Sequence, residues 1–276
     1  MKVAALRQFR KKLAAGEPVV GMWVTLESAS ITEIAVALGL DWVVVDAEHG
    51  HLDWREVVEH VRATVRSNTV VLVRLVQRDT GLTKRALDIG ADGIVIPWME
   101  TAEELREAVR DVRYPPEGRR GIGGERATAW GACLAEHAAE ANEHVLVVPI
   151  IERVAAIPAI PEMAKVDGVE VFFFGPADFS ASAGHRGQWE GPGVADQILA
   201  IKDTLRAAGK NCGLLTTSAD DLKRRLEQGF RMVGLGSDAG LLLRMLRDRL
   251  ATIGRDRIPA ASLNPQDGQA VGGKTT

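Results

Sequence analysis

The sequence predicts an α/β fold, a (β/α)8 TIM barrel, and three observations predict it. Eight short apolar runs, at 19–26, 42–46, 70–74, 93–98, 145–152, 169–174, 212–216 and 232–236, alternate with segments of helical spacing. Most of these runs are continuous in Val, Ile, Leu or Phe without polar alternation, as parallel strands covered on both faces must be. Their C-terminal ends carry acids, histidine or arginine, and that end is where a barrel assembles its site. A doubly wound open sheet shares the first two features and is the alternative fold.

Each element can be justified in order. The chain opens on Met1-Lys-Val-Ala-Ala-Leu-Arg-Gln-Phe-Arg, which charge interrupts every few residues, so the apolar centre of a signal peptide is missing. After the first run, Ser30-Ile-Thr-Glu33 places a capping residue three positions before an acid, a helix start that Gly39 then stops. The second run is followed by Asp53-Trp-Arg-Glu56 in the same pattern. Here Trp54, Val57, Val58, Val61 and Val65 share one helical face, which should lie on the sheet. Gly90 stops the helix after the third run, and Thr101-Ala-Glu-Glu104 starts the one after the fourth. Residues 113–143 are longer than a usual crossover and include Pro115-Pro-Glu-Gly-Arg-Arg-Gly-Ile-Gly-Gly124, an insertion expected to cover a site. The fifth and sixth runs end at Glu152 and just before Gly175-Pro-Ala-Asp178. Gly209, Ser218-Ala-Asp-Asp221 and Gly229 punctuate the last two units. A single barrel domain is expected over 1–258, and the Ala-, Gly- and Pro-rich stretch 259–276 is expected to be a disordered tail.

Composition narrows the function classes. With 276 residues, 46% hydrophobic and 26% charged, the chain can bury a large core and reads as soluble and globular. A net charge of -3 with interspersed signs gives no electrostatic case for nucleic acid or an anionic membrane. No stretch approaches the roughly 20 apolar residues of a membrane span. Cys133 and Cys212 match no metal or redox spacing, so a reducing cytoplasm is the expected location.

The strand ends gather Asp46, Glu48, His49, Arg74, Glu152, Asp178, Ser237 and Asp238. Glu152 and Asp178 form the candidate metal pair, because a hard divalent ion takes oxygen ligands and two carboxylates leave positions open for substrate. The competing reading is that each acid merely caps the next helix. His49, in Asp46-Ala-Glu-His49-Gly-His51, suits proton transfer near neutrality, while His51 reads as a solvated loop histidine. Arg74 ends an apolar run, where a guanidinium is costly unless paired or facing a pocket. It is either an anion or enolate clamp or a buried structural ion pair, with Asp46 and Glu48 as its partners. Lys84, Lys165, Lys202, Lys210 and Lys223 all fall in helices or turns, which disfavours a Schiff-base mechanism. The Gly234-Leu-Gly-Ser237 turn after the last run could cradle a phosphate, and a tight turn explains it equally well.

These residues resemble a known family. Gly21-Met-Trp, Asp46-Ala-Glu-His49, Val73-Arg74, Leu87-Asp88-Ile-Gly-Ala91, Arg120-Gly121, Ile151-Glu152 and Gly175-Pro-Ala-Asp178-Phe-Ser180 match in order, over about 10–250, the metal-dependent class II pyruvate aldolases. That family includes 4-hydroxy-2-oxoheptanedioate aldolase and 2-dehydro-3-deoxyglucarate aldolase. The resemblance implies a divalent cofactor (Mg2+, Mn2+ or Co2+) on Glu152 and Asp178, acid/base work by His49, and Asp88 raising the basicity of His49. It also implies Arg74 as enolate stabiliser and substrate-carboxylate binding by Ala177 beside Gly175 and Asp178. The substrates would be a small 2-oxo acid and an aldehyde. The oligomer would be a hexamer, a trimer of dimers, with the last helix exchanged between subunits. A 4-hydroxy-2-oxo acid would lose its hydroxyl proton, to His49 or a metal-bound hydroxide, and split at C3–C4 into pyruvate and an aldehyde.

Three positions depart from the family pattern. Ile150 stands where many members carry a substrate-contacting Gln, Leu75 replaces a Pro that often follows the arginine, and Trp98 replaces a smaller side chain after Pro97. A more apolar pocket is expected, and with it an aldehyde other than succinic or tartronate semialdehyde. Two other readings stay open: a barrel lyase of the citramalyl or citrate-lyase type, and a catalytically silent barrel that binds 2-oxo acids.

Overall fold

A computed structural model describes residues 1–255 of the chain. Its strands β1 (Val19–Val24), β2 (Trp42–Asp46), β3 (Val70–Arg74), β4 (Gly93–Ile96), β5 (Leu146–Ile151), β6 (Val171–Phe174), β7 (Asn211–Leu215) and β8 (Met232–Ser237) close into one barrel. Every neighbouring pair is parallel, including β1 with β8. The expected barrel is therefore present and the open sheet is not. The compact unit runs Met1–Ala239, and a second unit begins at Gly240, inside the stretch expected to be one barrel domain to residue 258. The tail expected at 259–276 lies outside the described residues.

Helix α1 (Val3–Ala14) precedes the barrel and closes its N-terminal end. Its buried Ala5, Leu6, Phe9 and Leu13 cluster with Val19, Val70, Leu146, Val171 and Met232, the residues near the starts of their strands. Burying a side chain such as Leu6 or Phe9 contributes about 1.5–3 kcal/mol. The same core cluster holds aromatic rings, Trp23, Trp42 and Phe173. Trp42 sits over Gly21, where an added Cβ would lie 2.1 Å from the indole, and its Nε1 donates to the Val19 carbonyl at 3.1 Å. Gly234 is a residue of β8, not of a turn beyond it, and is small because Leu215 and Trp42 fill the space beside it. The phosphate-cradle expectation is corrected accordingly.

The crossovers are α2 (Ser30–Ala37), α3 (Trp54–Ala63), α4 (Thr80–Asp88), α5 (Ala102–Val112), α6 (Leu134–His144), α7 (Ile160–Met163), α8 (Pro176–Ser182), α9 (Val194–Ala207) and α10 (Ala219–Glu227). Asp53 with Glu56 and Thr101 with Glu104 form full capping boxes, and Ser218 accepts from the Asp221 N–H. Ser30, by contrast, is already helical and makes no cap, with Ala29 in the cap position. Gly39, Gly90, Gly209 and Gly229 end their helices with positive φ, as expected. In α3 the buried face is Val57, His60 and Val61, while Val65 lies past the helix and is exposed. His60 displaces the expected stripe because its ring is satisfied there, by Thr32 Oγ1 at 2.8 Å and the Leu26 carbonyl at 3.1 Å.

The long insertion does not cover the C-terminal end. It joins a helix to a strand, so topology holds it where strands begin. Arg126 donates to the Ile89 carbonyl ahead of β4 at 2.8 Å, Arg10 of α1 donates to the His144 carbonyl at 3.1 Å, and Asn142 brackets the Tyr114 backbone.

The last helix, α11 (Asp238–Ala251), starts at the end of β8. Asp238 accepts from the Thr25 N–H and Oγ1–H and from the Leu26 N–H, so it locks the β8 end to the chain after β1 and is structural. Within the second unit, Leu242, Leu243, Met245, Leu246 and Leu250 are exposed.

Candidate active site

The C-terminal ends of the strands surround a cavity of about 450 Å³. Parallel register places Asp46, the last residue of β2, directly beside Arg74, the last residue of β3. Arg74 Nε donates to Asp46 Oδ1 at 2.8 Å, a second bond joins its Nη2 to Oδ2, and Nη1 pairs with Glu48 at 2.7 Å. The guanidinium carbon also lies 5.3 Å from the Trp23 ring centroid. Arg74 is thus a buried ion pair, as one of the two readings of the sequence had it, and it also lines the cavity. Asp46 Oδ1 further accepts from the Glu48 and His49 N–H groups, at 3.0 and 3.3 Å, and so shapes the turn that carries His49. His49 is exposed and lines the cavity. His51 pairs instead with the exposed Glu27, 3.3 Å away, in keeping with a solvated loop histidine.

Glu152 follows β5 and is only 3% exposed. Its Oε1 accepts from the Trp98 backbone N–H at 2.7 Å. A Cβ at position 175 would lie 2.7 Å from Oε2, so Gly175 is what lets the carboxylate approach β6 so closely. Burial pushes the Glu152 carboxyl up to about 7. The Trp98 N–H opposes this, while the charges of Glu48 and Asp178 add to it. Asp178 occupies the first turn of α8, with Phe179 buried beneath it as anchor.

The donor set fits a hard divalent cation. Glu152 is a buried carboxylate that accepts a backbone N–H and is raised further by the acids beside it, and a cation would relieve that crowding. Among the described residues no three His, Cys, Asp or Glu side chains converge as a closed metal cage. Two carboxylates with open positions are nonetheless the usual protein share for Mg2+ and similar ions.

Gly175, Ala177, Asp178, Glu152, His49 and Arg74 all line the one cavity. Asp88 does not. It is the last residue of α4, at the opposite end of the barrel, where Arg120 Nη2 donates to its Oδ1 at 2.9 Å. Trp189 escaped the sequence reading, and Trp98, expected to make the pocket more apolar, is not among the lining residues and acts instead on two carboxylates. Trp98 adopts a left-handed φ of 61°, which aims its N–H at Glu152, and its indole Nε1 donates to Glu48 at 3.2 Å. Trp189 comes from the loop between α8 and α9 and forms part of the cavity wall. A tryptophan rarely adopts positive φ, and no motif marks the loop of Trp189, so neither role gave a usable signal.

Comparison with known proteins supplies a family. The family model described as HpcH/HpaI aldolase/citrate lyase matches residues 19–244. A hydroxypyruvate/pyruvate aldolase of Pseudomonas aeruginosa is 36% identical over 248 residues, covering 88% of this chain and 91% of its own. A 4-hydroxy-2-oxovalerate aldolase of Rhodococcus jostii is 37% identical over 238 residues, covering 86% and 92%. The crystal structure of an HpcH/HpaI aldolase/citrate lyase family protein from Burkholderia cenocepacia superposes with a TM-score of 0.86 at 31% identity, covering 92% of this chain and 100% of that one. A barrel with its acids, arginine and histidine around one cavity, matched by these relatives along most of its length, belongs to the HpcH/HpaI aldolase/citrate lyase family.

Proposed function

We propose that this chain is a divalent-metal-dependent aldolase that reversibly cleaves a 4-hydroxy-2-oxo acid to pyruvate and an aldehyde. The observation that carries this reading is the meeting of Glu152, Asp178, Arg74 and His49 around one cavity at the C-terminal end of the barrel. Glu152 and Asp178 would hold the cation, with Mg2+, Mn2+ and Co2+ as the candidates. When bound, such an ion acts as a Lewis acid toward a ketone oxygen.

The protein's own groups supply the rest. The first turn of a helix leaves backbone N–H groups without intrahelical partners, and Ala177 and Asp178 in the first turn of α8 offer them to the carboxylate of a 2-oxo acid. His49 takes the proton of the 4-hydroxyl. The O–H electron pair becomes the aldehyde C=O bond, the C3–C4 pair moves into the enolate, and a solvent proton at C3 completes pyruvate. Arg74 donates two of its five N–H groups to Asp46, and its Nη1 is ion-paired with Glu48. Its remaining N–H capacity can meet the negative charge growing on the ketone oxygen, in a cavity where such charge is poorly screened.

Asp88 lies too far round the barrel to serve His49 of its own chain, since it is bound to Arg120 at the N-terminal end. Its support of His49 therefore operates between copies, from a neighbouring subunit. The exposed leucines of α11 support assembly through that helix, since an apolar stripe of this kind is normally covered. A hexamer built as a trimer of dimers with α11 exchanged accommodates both features. No helix among the described residues is long and apolar enough to cross a membrane. The Cys212 thiol is buried and pushed up to about 12, and no disulfide joins it to Cys133. A reducing cytoplasm is consistent with both observations.

The test is pyruvate release from a series of 4-hydroxy-2-oxo acids, followed by coupling to lactate dehydrogenase. Chelation with EDTA should abolish release, and Mg2+, Mn2+ or Co2+ should restore it. Turnover that ignores the chelator would refute the proposal.

A further inference from the structure

Resting on the aldolase reading, we infer that the aldehyde half of the substrate is uncharged and apolar, and that Trp189 is the specificity wall against which it packs. Charge makes the first part of the case. Among the described residues lining the cavity, Arg74 is the one guanidinium or ammonium group, and it is already paired with Asp46 and Glu48. The site holds four carboxylates, Asp46, Glu48, Glu152 and Asp178, against that guanidinium and a divalent ion. The balance is negative before the carboxylate of the 2-oxo acid arrives. A second carboxylate, at the far end of the aldehyde, would find no unpaired guanidinium or ammonium group among the described residues of this chain that line the cavity, and would be desolvated beside like charge, which is costly.

The surfaces make the second part. Trp23, Ile150, Phe173 and Leu215 form an apolar inner face of the cavity, with the Trp23 and Phe173 rings packed at a 39° tilt, 5.0 Å between centroids. Ile150 carries no polar atom to orient a hydroxyl-rich chain. Room is available as well. At roughly 30 Å³ per heavy atom, the share of one water in the liquid, the six heavy atoms of pyruvate fill less than half of the cavity.

Trp189 is held as a fixed wall although its loop has no regular structure. The Arg225 guanidinium carbon lies 3.8 Å from the Trp189 ring centroid. Arg225 is itself buried and is tied to Asp221 at 2.8 Å, Glu190 at 2.7 Å and Gln228 at 2.9 Å. The stack therefore fastens the indole to α10, leaving a rigid aromatic surface toward the cavity. Such a surface selects for apolar or aromatic contact at little entropic cost.

The experiment compares matched aldehydes in condensation with pyruvate: butanal against succinic semialdehyde, and benzaldehyde against 4-carboxybenzaldehyde. The uncharged member of each pair should have the higher kcat/KM by at least about tenfold, the lower end of what one methylene of apolar contact discriminates. Equal or better use of the carboxylated member overturns the inference. In Trp189→Ala the ratio of benzaldehyde to acetaldehyde kcat/KM should fall about tenfold, and Trp189→Phe should restore most of it; an unchanged ratio overturns the role given to Trp189. Exchange of the pyruvate methyl protons in D2O needs the enolate but no aldehyde, and it separates the two claims. Exchange together with a preference for carboxylated aldehydes overturns this inference alone, whereas absence of exchange overturns the aldolase reading and this inference with it.

Discussion

Replacing Glu152 by Gln should make the metal-free protein more stable at neutral and alkaline pH. Burial raises the Glu152 carboxyl from 4.5 to about 7. An acid whose folded pKa lies above its unfolded value binds more protons in the folded state between the two, so stability is lost as pH rises from about 4.5 to about 7. At about 1.4 kcal/mol per pKa unit, the cost above pH 7 is about 3 kcal/mol. Glutamine keeps an oxygen for the Trp98 N–H and never ionises. The assay is denaturant unfolding in EDTA at pH 5 and pH 8, for wild type and Glu152→Gln. The difference between the two proteins should be small at pH 5 and should favour the variant by up to about 3 kcal/mol at pH 8, because contributions from other titrating groups cancel in the comparison. A difference that does not change with pH would refute the reasoning that Glu152 is held in a costly, cation-seeking environment.

Further outcomes follow from the same site. Mn2+ affinity should weaken by up to tenfold for each pH unit below about 7, because Glu152 must lose its proton to act as a ligand; titration calorimetry from pH 5.5 to 8 checks this. His49→Ala should lower kcat by about 10²–10⁴, the usual contribution of a positioned acid or base, while Arg74→Lys, which keeps the charge but loses the fork to Asp46, should cost about 10² in kcat/KM. Two individually inactive variants, His49→Asn and Asp88→Asn, should regain measurable activity when refolded or co-expressed together, since some sites would then combine a native His49 with a neighbour's native Asp88.

The elements of the barrel were readable because each strand is a continuous apolar run and most helices announce their ends with a cap or a glycine. The place of Glu152 and Asp178 at the cavity was readable for a related reason, since one follows the end of an apolar run and the other lies just past the Gly-Pro that closes the next. Boundaries shifted by one or two residues where an apolar residue continues past its ladder, as Val169 and Leu26 do. The insertion over 113–143 misled because length suggests a cover, while only its place in the βα order says which end it covers. Asp88 was found by resemblance alone, since nothing in its helix-end position ties it to a histidine on the far side of the barrel. Trp189, and the role though not the presence of Trp98, stayed hidden for a related reason: Trp98 acts through a left-handed backbone and Trp189 through a stack on Arg225, and both arise from tertiary contacts that no local pattern encodes.

Deuterium exchange into the methyl group of pyruvate, followed by NMR in D2O without any aldehyde, tests the central claim most directly. Wild-type protein with Mg2+ or Mn2+ should exchange the methyl protons well above the background rate, EDTA should stop it, and Glu152→Gln and Asp178→Asn should each remove it. Exchange that persists in EDTA, or that survives both substitutions, would contradict the assignment of this cavity as a metal-assisted pyruvate-enolate site.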